Sequence, residues 1–126
     1  MAIGGSDDEK GYGGFSPRIK LTPDMIFSGT HGAVTPQKLA LENAGPWIDI
    51  SDAKRGITIM DHKSNPDYPQ PWILRAKTSM QNPKWPGQDP IGLSTTKPVV
   101  LRYRMVIHEG PADKELLDRL QSEFSE

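Results

Sequence analysis

The stretch Ile59-Met60-Asp61-His62-Lys63-Ser64-Asn65-Pro66 gathers the side chains best suited to chemistry. An apolar, β-branched run ends there and a proline-restricted loop begins. Asp61, His62 and Asn65 would converge at that strand end, offering an acceptor, a titratable imidazole and an amide together. Trp72 and Arg75 follow shortly after. Such a set suits sugar recognition: a planar aromatic covers the apolar face of the ring, while Asp, Asn, His and Arg bond the hydroxyls. If a reaction occurs, His62 is the residue for acid–base work, with Asp61 beside it, because an imidazole titrates near neutrality with little tuning. The same residues also have a plain structural use. Asp61 and Asn65 are common turn-makers, and Trp72 is a common core residue.

A second set is Arg102, Arg104 and His108, which share one face of an alternating run. On a concave sheet face they would grip a carboxylate or polyhydroxyl ligand. On an outer face they would be solvated charges, or partners of carboxylates on neighbouring strands. The three histidines, His31, His62 and His108, raise the alternative of a metal-dependent oxidase site, since imidazoles hold copper or zinc. No His-x-His or His-x-x-x-His spacing joins any two of them, so no metal ligand is assigned and the cofactor stays open. Gly11-Tyr12-Gly13-Gly14 lacks the Lys-Ser/Thr end of a phosphate loop and is not set between a strand and a helix. Neither a Ser-His-Asp order nor a glycosidase-type carboxylate pair can be assigned.

Short strands must position these groups. Phe15 to Leu21, Met25 to Ser28, Lys38 to Glu42, Pro46 to Asp52 and Gly56 to His62 read as strands, with a turn at Gly29 to Gly32. Ser64 to Pro71 is a loop by its Pro, Asn and Asp content, and Pro71 to Ala76 is extended again. Ser79 to Lys97 is a long Pro- and Gly-containing connection, of the kind that often lies over a site. Val99 to Glu109 is the clearest strand. Val99, Leu101, Tyr103, Met105 and Ile107 share one face, and Val100, Arg102, Arg104, Val106 and His108 the other. After Gly110-Pro111 the period changes. Leu116, Leu117, Leu120 and Phe124 form one helical stripe within residues 112–124, with Asp113 and Glu115 at the positive end. The expected architecture is therefore mostly β: an antiparallel β-sandwich with a C-terminal α-helix. Residues 1–14 are expected to be a flexible, Gly-rich lead-in, and residues 15–126 one sandwich domain.

Bulk properties set the bounds. A chain of 126 residues suits one domain. Twelve Gly and twelve Pro fall between apolar runs, as turns do. A net charge of −1 gives no broad field for nucleic acid or an anionic membrane surface. Cysteine is absent, which removes disulfides, thiolate nucleophiles and zinc–thiolate sites. No apolar run is long enough to span a bilayer.

Three stretches carry a family resemblance: GPWIDISD at Gly45 to Asp52, GITIMDHKSNPDYPQPWILR at Gly56 to Arg75, and LRYRMVIHEG at Leu101 to Gly110. Together they resemble the C-terminal part of a bacterial family labelled "methane oxygenase PmoA", and Gly11 to Leu21 is similar to its Gly-rich approach to a strand. The resemblance covers Gly11 to Phe124 and implies a β-sandwich similar to the galactose-mutarotase type, in which this chain lacks an N-terminal portion. The site residues it implies are Asp61, His62, Asn65, Trp72, Arg75, Arg102, Arg104 and His108. Methane oxidation in membranes belongs to an integral membrane enzyme, and no spanning segment is present here. The function it implies is instead carbohydrate binding or processing, with a sugar as ligand. A non-catalytic module pairing with an N-terminal half, or with another subunit as a homo-oligomer, is the further alternative.

Overall fold

The computed structural model describes residues 2–3, 15–37, 42–77, 80–87 and 89–126. Its strands are β1 (Ala2–Ile3), β2 (Ile26–Gly29), β3 (Gly32–Val34), β4 (Trp47–Ser51), β5 (Arg55–Asp61), β6 (Trp72–Ile73), β7 (Asn82–Pro83), β8 (Ile91–Gly92) and β9 (Tyr103–Glu109), followed by helix α1 (Lys114–Phe124). Five of them form one antiparallel sheet in the order β3-β2-β4-β5-β9, and β1-β8 and β6-β7 form separate pairs. The architecture is thus mostly antiparallel β with one C-terminal helix, packed like a sandwich.

Register sorts the side chains of the large sheet. Trp47 lies opposite Met60, Asp49 opposite Thr58 and Ser51 opposite Gly56, and beyond them stand Arg104, Val106 and His108 of β9. Helix α1 covers this face. Trp47, Met60 and Leu117 form its core, joined by Val106, Ala112, Leu120 and Phe124. The opposite face carries Phe27, Ile48, Ile50 and Ile59, which pack on Ile19, Ala44, Trp72 and Leu74. Strand β4 is therefore buried along its whole length, covered on both sides. Alternation alone cannot reveal this, because a polar residue under a helix looks the same in sequence as one facing water.

The local signals hold in most places. Asp52 makes the β4–β5 turn by accepting from the backbone N–H groups of Lys54 (2.9 Å) and Arg55 (3.0 Å) through Oδ1. Asp113 caps α1, its Oδ1 accepting from the Leu116 N–H at 3.2 Å. Trp47 Nε1 donates to Asp118 at 2.9 Å and ties the helix to β4.

Some expectations need correction. Phe15 to Leu21 is not a strand. Its one strand-type pairing among the described residues is the isolated bridge Arg18 to Met80, although Ile19 packs in the core and Arg18 and Lys20 are exposed as the alternation requires. The region 79–97 is not only a loop, since β7 and β8 lie in it. Strand β3 was not foreseen, because Gly32-Ala33-Val34 is too short to show a period. Of the expected strand Lys38 to Glu42, residues 38–41 lie outside the described residues, and Glu42 bridges Trp72. The flexible lead-in expected over residues 1–14 also lies outside them, except for Ala2–Ile3 in β1.

Candidate functional site

The strand end at Asp61 does gather polar groups, but they bond to one another. Asp61 is fully buried. Its Oδ1 accepts from Asn65 Nδ2 (2.7 Å) and its Oδ2 from the Gln70 N–H (2.8 Å). Burial pushes its pKa up, against the pull of these bonds. Asn65 clasps β9: its Nδ2 donates to Arg102 O (2.6 Å) and its Oδ1 accepts from the Arg102 N–H (2.7 Å). Gln70 Oε1 accepts from the Tyr103 hydroxyl at 2.6 Å. Burial and then the nearby Asp61 charge push that phenol up to about 12, so it keeps its proton. Gln121 Nε2 donates to Asp61 O at 2.7 Å, adding the helix to the knot. Asp61 and Asn65 hold the 62–70 loop against β9, with their bonding capacity used inside the fold.

His62 leaves on the other side of the sheet. Its ring meets Phe124 of α1 edge-on, with centroids 4.9 Å apart. Arg104 lies over the same Phe124 ring at 4.6 Å. Arg102 Nη1 reaches Ser64 Oγ at 3.4 Å, and Ser64 Oγ lies 2.7 Å from His62 Nδ1. His62, Arg102 and Arg104 therefore do come together, around the C-terminal end of α1.

Trp72 does not join them. It has no exposed surface, packs in the core on the opposite face and donates from Nε1 to Gly45 O at 2.8 Å. A stacking platform for a sugar ring must be exposed, so Trp72 is corrected to a core residue. Arg75 stays with Trp72's side of the sheet, its backbone N–H donating to Gln81 Oε1 at 2.6 Å. The histidines also stay apart. His31 is exposed in the β2–β3 turn, His62 sits on Phe124 and His108 sits on Asp49. Among the described residues no three His, Asp or Glu side chains gather in a way that could hold a metal ion.

Asp49 and Thr58 were not nominated from sequence, although His108, which joins them, was. Asp49 is fully buried under the helix side of the sheet. Its Oδ1 accepts from Thr58 Oγ1 (2.7 Å) and from His108 Nε2 (2.5 Å). Burial pushes the His108 pKa down, but the hydrogen bond and negative charge of Asp49 outweigh it, so the pKa is raised and the imidazolium favoured. Asp49 Oδ2 has no partner among the described residues. The ring reaches Asp49 only because Gly56 leaves room: a Cβ there would stand 2.5 Å from His108 Cε1. A lone carboxylate in the middle of an apolar strand was the available signal, since burying one demands a cation or donors.

Beside this cluster a groove of about 1080 Å³ opens between the β4–β5 turn and the β9–α1 connection. Ser28 and Ser51 form its floor. They flank Asp49 on the same face, and neither hydroxyl has a hydrogen-bond partner among the described residues. Asp24, Asp52, Lys54 and Arg55 supply charges, and Ile26 an exposed apolar wall. Backbone hydrogen bonds from Lys54 and then Arg55 hold the Asp52 carboxyl below its usual range, so it is an acceptor at neutral pH.

A family pattern described as a family of unknown function, DUF6807, matches residues 3–122, nearly the whole chain. No curated protein and no solved structure matches it. Among the described residues no helix is long and apolar enough to cross a membrane.

Proposed function

The chain belongs to the DUF6807 family, and from that premise we propose that it is a carbohydrate-binding β-domain whose ligand lies in the groove over Ser28 and Ser51. The observation that carries this reading is the pair of unpartnered hydroxyls on the groove floor, beneath an apolar wall at Ile26 and a charged rim. A sugar presents donors and acceptors on its edges and C–H groups on its faces. Hydroxyls and the Asp24 and Asp52 carboxylates answer the former, and Ile26 the latter. Lys54 and Arg55 add donors that favour an acidic sugar, such as a uronic acid, over a neutral one. The groove is open and carries no aromatic platform among the described residues, which points to weak binding, with Kd of about 1 mM.

The test is a titration of neutral and acidic monosaccharides and short oligosaccharides followed by amide NMR. Shifts should map to residues 22–28 and 51–55, with uronic acids bound most tightly. Ser51→Ala should weaken binding by roughly fivefold, the worth of one hydrogen bond of about 1 kcal/mol. His62→Ala, which changes a group at the far end of the sheet, should leave it unchanged. Shifts that map to the His62–Phe124 end, or no shifts at any practical sugar concentration, would remove the proposal.

A further inference from the structure

Strand β9 is an edge of the large sheet, and its backbone shows which groups stay open. The Gly110 N–H donates to Lys54 O, and both backbone groups of Arg102 are taken by Asn65. In an antiparallel strand successive residues point their N–H and C=O to opposite sides. The even-numbered residues of β9 therefore face β5, and Tyr103, Met105, Ile107 and Glu109 present theirs outward. The side chains of these same odd residues lie on the face away from α1, where Met105 is 43% exposed and Ile107 83%. Among the described residues no strand pairs with this edge, though Phe15 stacks on Tyr103, and an open edge with apolar side chains is a template for another strand. Glu109 puts one exposed carboxylate at the end of this edge, and the other charges around it are positive. Ile107 lines a groove of about 280 Å³ with Arg18, Lys20 and Arg55 at its margin. On the helix side Arg102 and Arg104 are exposed. None of the five makes an ion pair among the described residues.

We propose that the β9 edge captures an extended segment of another protein in which apolar residues alternate with acidic ones, added as a further strand of the large sheet. Main-chain bonds to the four odd residues supply the pairing. The segment's apolar side chains cover Met105 and Ile107, and its carboxylates, on the opposite face, meet the exposed Arg102 and Arg104. A second copy of this chain fits worse. Self-pairing about Val106, the register that sets Met105 against Ile107, sets His108 and Gly110 rather than carboxylates opposite Arg104 and Arg102, so the exposed guanidiniums gain no partner.

The probe is the fluorescent peptide Glu-Val-Glu-Ile-Glu-Val-Glu, titrated into the full chain and read by fluorescence polarisation and by amide exchange. Binding should slow exchange at Tyr103, Met105, Ile107 and Glu109 and leave Val106 unchanged. A peptide with Lys in place of every Glu should bind at least tenfold more weakly. Ile107→Lys should also lose at least tenfold, and because Ile107 is so exposed the variant should unfold at the wild-type urea concentration. Equal affinity for the two peptides, full binding by Ile107→Lys, or protection confined to other strands would overturn the proposal. So would self-association of the chain alone that Ile107→Lys abolishes, because a second copy would then be the occupant.

Discussion

Replacing Gly56 with alanine tests the packing around Asp49 most directly. The added methyl would lie 2.4 Å from Ser51 Cβ, 2.5 Å from His108 Cε1 and 2.8 Å from His108 Nε2. Ser51 Cβ is fixed to the backbone of β4 and cannot yield, so either the strands part or the imidazole swings away. Strand movement is overpacking, which costs about 1–3 kcal/mol. Swinging the ring breaks a charge-assisted bond worth about 1.5–3 kcal/mol and leaves buried Asp49 with Thr58 as its remaining donor. Taken together the loss should be about 3 kcal/mol. That is a large part of a typical stability of about 5–15 kcal/mol and, for this length, lowers Tm by roughly 10 °C. The assay is urea unfolding of wild type, Gly56→Ala, His108→Ala and the double variant. With the ring removed two of these three close contacts go and the one with Ser51 Cβ stays, so the double variant should be less destabilised than the sum of the singles by about 1–2 kcal/mol. A Gly56→Ala cost below about 1 kcal/mol, or strict additivity, refutes the argument.

Two further outcomes follow from the same contacts. The His108 pKa is raised in the fold, so its contribution to stability is fully present below its ordinary value of 6.5 and is lost as pH rises through the higher folded value. Unfolding free energy should therefore fall as pH rises above 6.5 in wild type and stay flatter in His108→Gln, as urea titrations at each pH will show; equal slopes would contradict the assignment. Asn65→Ala removes three hydrogen bonds, to Asp61 Oδ1 and to both backbone groups of Arg102. It should cost about 2–4 kcal/mol and speed amide exchange at Arg102, and a cost under about 1 kcal/mol would count against the clasp.

The sandwich-like β architecture and the closing helix were legible because alternation and the later change to a helical period are local patterns. Ile48 and Ile50 announced a strand, and Leu116, Leu117, Leu120 and Phe124 a helix, without reference to anything else. The site was less legible. Asp61 and Asn65 stand together as their spacing suggested, but their partners Gln70 and Arg102 turn them inward, with Tyr103 bonded to Gln70 behind them. Trp72 follows the same loop closely in sequence yet crosses to the opposite face, because β6 pairs with Glu42 and β7 there.

Periodicity by itself determined which residues of β9 share a face: Arg102, Arg104 and His108 on one, Met105 and Ile107 on the other. Only the tertiary structure decided which face is covered, and the outcome inverts the hydrophobic expectation. Helix α1 packs over the charged face, where Asp49 receives His108 and Phe124 receives Arg104, and the apolar pair is left at an open edge. The physical reason is that alternation is set by the geometry of one strand, whereas burial is set by whichever distant elements supply partners for the groups they cover.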